Sequence, residues 1–237
     1  MLVYSIPLIA TTIGWWVNSS SDRYVVAIMC GVAANGILSV SYKIPAIINT
    51  LQIIFIQAWQ ISAIKEYGKK DTALFYGRAF VVLNAMMSIA CAGLIFLAKP
   101  IGHILYQKGF FVAWKYVPFL LIASVLNSAS GFLGPILAAK KDSKSVAMAA
   151  IYGATANIIF NIALVYLIGI QGATIATVIA SYIIYHVRKK AVGGTMLINN
   201  YIVIWLTWIF FDFTRDYRNI YIRMVGRSHN YVNYFTS

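Results

Sequence analysis

Apolar runs long enough to cross a membrane alternate with short polar segments along most of the chain. The first run, residues 1–18, ends at Ser19, Ser20, Ser21, Asp22 and Arg23. It reads as a span rather than a signal peptide, because no Lys or Arg precedes it and no small-x-small cleavage site follows it. It begins apolar at Met1, which suits a chain that is usually longer. From Tyr24 to Ile64 there is no acidic residue, and Lys43 is the one base in these 41 residues. As one helix they would reach about 60 Å, twice the ~30 Å hydrocarbon core, so a break is required. Gly31 and Gly36 mark it. Residues 24–33 are predicted as a short interfacial helix, and 36–62 as the second span, kinked at Pro45.

A polar segment, Lys65 to Asp71, leads to a third span over 77–97, closed by Lys99 and Pro100. Residues 101–114 read as an interfacial loop with aromatic anchors. The fourth span is predicted over 116–138, with Pro118 in its first turn and Pro135 near its far end. Lys140, Lys141, Asp142, Ser143 and Lys144 form the next loop, and 146–168 the fifth span. Gly169 to Gly172 is too short for anything but an antiparallel return into a sixth span over 173–187, stopped by Arg188, Lys189 and Lys190.

Charge sets the orientation. With the N-terminus inside, the cytoplasmic loops hold Lys65, Lys69, Lys70, Arg78, Lys140, Lys141, Lys144, Arg188, Lys189 and Lys190. The outer loops hold Arg23, Lys99, Lys108 and Lys115, so the bias favours a cytoplasmic N-terminus. Residues 1–190 form the predicted membrane bundle, and 191–237 a basic, aromatic tail. Residues 198–213 would send Arg215, Arg218, Arg223 and Arg227 outside if they spanned. An interfacial helix with Trp205 and Trp208 in the headgroup layer is preferred to a seventh span.

Composition strengthens this reading. Hydrophobic residues make up 61% of the 237 positions and charged ones 11%, against about 25% in soluble domains. Disorder and a disulfide scaffold are both excluded, the latter by a cysteine count of two, Cys30 and Cys91. The net charge of +13 lies in short clusters between apolar runs and not on one continuous basic face, so nucleic acid is not an expected partner.

No Walker loop, H-E-x-x-H, C-x-x-C or G-x-S-x-G occurs, and the three histidines are scattered, so neither an enzyme, a metal site nor a cofactor is expected. Driving energy would come from an ion gradient, the membrane potential or the substrate. No Asp or Glu falls in the middle of a predicted span. Polar side chains within apolar runs carry more information. Lys43 either snorkels to the interface or serves as a cavity cation for an anionic substrate. Asn35, Asn49, Gln52, Gln57 and Gln60 share its helix without forming one clean stripe, while Asn84, Asn127, Asn157 and Asn161 read mostly as glue between helices. Asp22 and Arg23 are adjacent and cannot face each other on a helix, so each needs another partner, and a structural role for Asp22 is favoured.

Several of these residues form a spaced pattern: Ser5-Ile6-Pro7-Leu8, Asp22-Arg23, Gly31 and Gly36, Tyr42-Lys43-Ile44-Pro45, Phe55 to Trp59, and Lys65. The pattern resembles the start of the C-terminal half of the Wzx-type polysaccharide flippases, in the superfamily that also holds lipid II flippases and MATE exporters. The likeness covers about residues 1–190; the tail does not match it. It implies an all-α integral membrane fold: a six-helix transmembrane bundle, one half of a two-bundle alternating-access transporter, here with an interfacial C-terminal helix. The implied function is translocation of undecaprenyl-pyrophosphate-linked oligosaccharide across the bacterial inner membrane for surface polysaccharide (O-antigen or capsule). Pro7, Asp22, Arg23, Gly36, Tyr42 and Pro45 carry the structural motif. Lys43, with Arg23 and Arg78 behind it, is the expected cavity cation. A single bundle would leave polar side chains facing lipid, so a second six-helix half or a second copy is the expected partner. The alternatives are half of a MATE-like drug exporter, which would need an intramembrane carboxylate, and a non-transporting fragment of a disrupted flippase gene.

Overall fold

The computed structural model describes residues 12, 14, 16, 20–106 and 108–196, and they contain helices and turns but no strand. Residues 20–30 form α1. It is followed by α2 (Val32–Ser41), α3 (Lys43–Glu66), α4 (Thr72–Leu105), α5 (Val117–Ala139), α6 (Ser143–Ile168) and α7 (Ile170–Val192), with 3-10 turns at Lys108–Lys115 and Gly193–Thr195. Five of these, α3 to α7, are long and apolar enough to cross a membrane. By helix length and hydropathy the chain is a multi-pass membrane protein. Of the predicted first span only Thr12, Gly14 and Trp16 are described, all helical. Pro7 and the helix predicted over 198–213 lie outside the described residues.

The predicted second span is divided. Gly31 does break the chain, at φ 90°, a conformation that suits only glycine. Gly36, however, lies inside α2, and the second break falls at Tyr42. Pro45 explains the shift. Placed mid-helix it would cost a backbone hydrogen bond and clash with the carbonyl four residues back; as the third residue of α3 its missing N–H is one the helix would have left unpaired anyway. No mid-span kink at Pro45 is therefore needed.

Span limits also change. Lys99 and Pro100 do not close the third span, because α4 continues through Pro100 to Leu105. Its 34 residues amount to about 51 Å of helix, more than the hydrocarbon core requires. Arg188, Lys189 and Lys190 likewise lie within α7 and not after it. In both places helix continuation satisfies the backbone internally, which outweighs a local breaker or charge. The fourth and fifth spans match α5 and α6 to within three residues at either end.

Helix α5 is the centre of the bundle, with 78% of its most apolar window buried against 17% for α3. The antiparallel pair α6–α7 packs through small side chains. Ala147, Ala150, Ala154, Asn157 and Asn161 line one helix, and Ala173, Ala176, Thr177 and Ala180 the other. Such spacing lets backbones approach closely, the means of helix association where lipid supplies no hydrophobic drive. The approach is tightest at the turn, where Gly169 takes φ 62° and a Cβ on Gly172 would collide with the Leu164 backbone. At the far end of α3 an aromatic group joins three helices. Trp59 stacks on Phe132 at 4.1 Å, donates Nε1–H to the Phe132 carbonyl at 2.9 Å, and meets the edge of Tyr76 at 5.6 Å.

Candidate functional site

Asp22 of α1 is 1% exposed. Its Oδ2 accepts hydrogen bonds from Tyr42 Oη at 2.7 Å and Thr177 Oγ1 at 2.5 Å, and its Oδ1 accepts from Asn161 Nδ2 at 2.5 Å. Four sequence-distant elements meet there. Asn157 and Asn161 stand four residues apart on one face of α6, Thr177 comes from α7, and Tyr42 sits at the α2–α3 corner. Asn161 and Thr177 each lie seven residues from the nearer end of their helix, about 10 Å by helical rise. The carboxylate is thus buried about two turns in from the ends of α6 and α7, although Asp22 itself follows the predicted first span and lies in α1.

Every ligand to the carboxylate is neutral. Among the described residues the ion pair is Lys69–Glu66 at 2.7 Å, which lies at the α3–α4 turn. Arg23, next in sequence, points elsewhere: it is exposed, with its guanidinium 5.7 Å from the centroid of the Tyr42 ring. Asp22 and Arg23 do not pair with each other, as their adjacency requires, but both meet Tyr42, one at its hydroxyl and the other at its ring face. One oxygen beside the carboxylate has no partner. Asn161 Oδ1 is buried without a partner, Thr177 Oγ1 lies 3.0 Å from the Ala173 carbonyl, and Asn157 Oδ1 accepts from Ser21 Oγ at 2.5 Å. A buried carboxylate with a spare hard oxygen atom beside it can take a proton or a small monovalent cation.

The predicted cavity cations are not gathered in one place. Lys43 is exposed at the start of α3, close in sequence to Tyr42 and so to Arg23. Arg78 is exposed on α4, beside Tyr76, whose hydroxyl donates to the Ala63 carbonyl at 2.5 Å near the end of α3. That is about 30 Å of helix from Lys43. Gly36 faces the 3-10 turn, where a Cβ would meet Phe110 at 3.3 Å.

A second feature runs along α3. Lys43, Thr50 and Gln57 recur at seven-residue intervals, which is two helical turns, and Asn49 and Gln60 flank them; all five are exposed. Ile44, Ile48, Trp59 and Ala63 are buried on the opposite side. Lys43, Asn49, Gln52 and Gln60 indeed form no single stripe, and Gln52 turns towards α5: a Cβ on Gly131 would meet its Nε2 at 3.1 Å. The sequence reading missed Thr177, which nothing in the primary sequence distinguishes from other span threonines. The Asn157/Asn161 spacing was a usable signal. No known family model, curated protein or solved structure matches the chain.

Proposed function

We propose that the chain is one half of a two-bundle transporter, a flippase that moves lipid-linked oligosaccharide across the bacterial inner membrane, with its substrate path along the exposed face of α3. The observation that carries this reading is the polar stripe of Lys43, Asn49, Thr50, Gln57 and Gln60. Gln57 lies about 14 Å from the nearer helix end, too deep to reach the interface. A bare amide in hydrocarbon is costly, so this face belongs against water or a second polar surface. Lys43 attracts the pyrophosphate of the substrate, and no acid lies on the stripe. Asp22 serves as the coupling group, taking a proton or monovalent cation in step with the rocking of two bundles. No catalytic step is involved, and the N-terminus is cytoplasmic.

Asp22 also favours a second reading. A MATE-like exporter needs an intramembrane carboxylate, and Asp22, buried against α6 and α7, is the group that would fill that role. The basic, acid-free stripe weighs against a cationic cargo and keeps the flippase reading first.

Labelling separates a water-lined path from a lipid face. In a chain with Cys30 and Cys91 replaced by serine, Gln57→Cys and Thr50→Cys should react quickly with a membrane-impermeant maleimide. Ile89→Cys, on an exposed apolar position of α4, should not. Equal, slow labelling at all three would remove the path. Cargo is tested by surface polysaccharide in a flippase-deficient strain in which the chain, with its second bundle, restores export. Lys43→Ala should reduce it, and an unchanged level would remove the Lys43 role.

A further inference from the structure

Arg188 belongs to neither feature described above. It lies inside α7 against α5, where its Nη1 donates to the Ser130 carbonyl at 3.1 Å and its Nε is buried without an acceptor. No carboxylate balances it among the described residues, since the ion pair there is Lys69–Glu66. Pinning α7 to α5 accounts for Nη1 alone. It leaves unexplained a desolvated cation with an idle N–H, an arrangement that costs free energy unless an anion completes it.

The surroundings suit such an anion. Gly134, one turn beyond Ser130, lies against the guanidinium, where a Cβ would sit 3.7 Å from Nη1 in ordinary contact. Ser130 Oγ and Tyr185 Oη are also buried without partners, and Tyr185 shares the Arg188 face of α7 at a spacing of three residues. Lys140 reaches the same end of α7, its Nζ donating to the carbonyls of Ala191 at 3.0 Å and Val192 at 3.3 Å. Lys189 lies 5.9 Å from the Tyr185 ring centroid. Arg188 itself stays partly exposed, so the site is open on one side.

We propose that Arg188, supported by Tyr185 and Ser130, binds the phosphate of an anionic membrane-lipid headgroup at this end of α5 and α7. A planar guanidinium fork matches phosphate oxygens, and a cluster of bases at the ends of spanning helices lies at headgroup level. The proposal is independent of what the chain transports.

The test uses the full chain in neutral detergent, titrated with phosphatidylglycerol, with diacylglycerol and with inorganic phosphate, and read by native mass spectrometry. Phosphatidylglycerol should bind, and diacylglycerol should not. Arg188→Gln should weaken phosphatidylglycerol binding by about tenfold, and Arg188→Lys, which keeps the charge but not the fork, by less. If Arg188→Gln fails to fold, Arg188→Lys carries the comparison. Unchanged affinity in the variants that fold would overturn the site. Inorganic phosphate binding as tightly as the lipid would overturn the headgroup as its occupant.

Discussion

Asp22 shows how a residue at the edge of an apolar run can become, among the described residues, the acidic group most withdrawn from the surface. Its three donors come from three other elements, and one nearby oxygen, Asn161 Oδ1, has no partner. Asp22→Asn can be accommodated: Asn161 can turn its amide to accept from the new side chain, and Thr177 can donate to Ala173 instead. We expect its stability to fall by no more than about 1 kcal/mol, while Asp22→Leu strands several buried donors at about 1–3 kcal/mol each. The check is thermal unfolding in detergent alongside polysaccharide export. Coupling through Asp22 requires that Asp22→Asn fold normally and fail to export; normal export by that variant would reduce Asp22 to a structural acceptor. The adjacency argument was legible in the sequence. The partners were not, because residues 139 and 155 positions away meet Asp22 only after folding.

Helix limits follow different rules in and out of the membrane. Within α4 and α7 the helix continues through Pro100 and Arg188, so its backbone polar groups stay paired up to the helix end. In the loop before α6, ordinary capping holds. Asp142 Oδ1 accepts the Ser145 backbone N–H at 3.0 Å. The hydrogen bonds from Ser145 lead the causes that hold its carboxyl below the usual carboxylate range, with Lys140 and Lys144 adding to them. Because the folded-state pKa is depressed, the cap contributes fully above the unfolded value of about 3.9 and is lost as pH falls through the folded value. Asp142→Ala should cost about 0.5–2 kcal/mol at neutral pH. The difference from the parent should shrink below about pH 4 in detergent unfolding curves. A difference that holds constant down to about pH 2 would show that the carboxylate is not the cap.

At the scale of the whole molecule, the chain presents exposed polar side chains along α3. If the α3 stripe lines a path between two bundles, the native complex holds a second bundle opposite it, either another half or another copy. Purified in mild detergent from its own membrane, the 26.3 kDa chain should travel in a complex of at least twice that mass. Gln57→Cys should form crosslinks across the interface. A monomer with no crosslink and undiminished export would sink the two-bundle reading. The sequence alone determined the class, because 61% hydrophobic residues with basic clusters between apolar runs have no stable arrangement in water. It also placed α5 and α6, whose ends carry caps, turns and charges in register with their apolar lengths. Only the tertiary structure decided where the α2–α3 corner falls, that Asp22 is buried among α6 and α7, that Gln52 and Gln57 face opposite ways, and that Arg188 turns inward. Each of these depends on which face of a helix meets a neighbour. Hydropathy measures how apolar a segment is and carries little information about the direction in which its few polar side chains point.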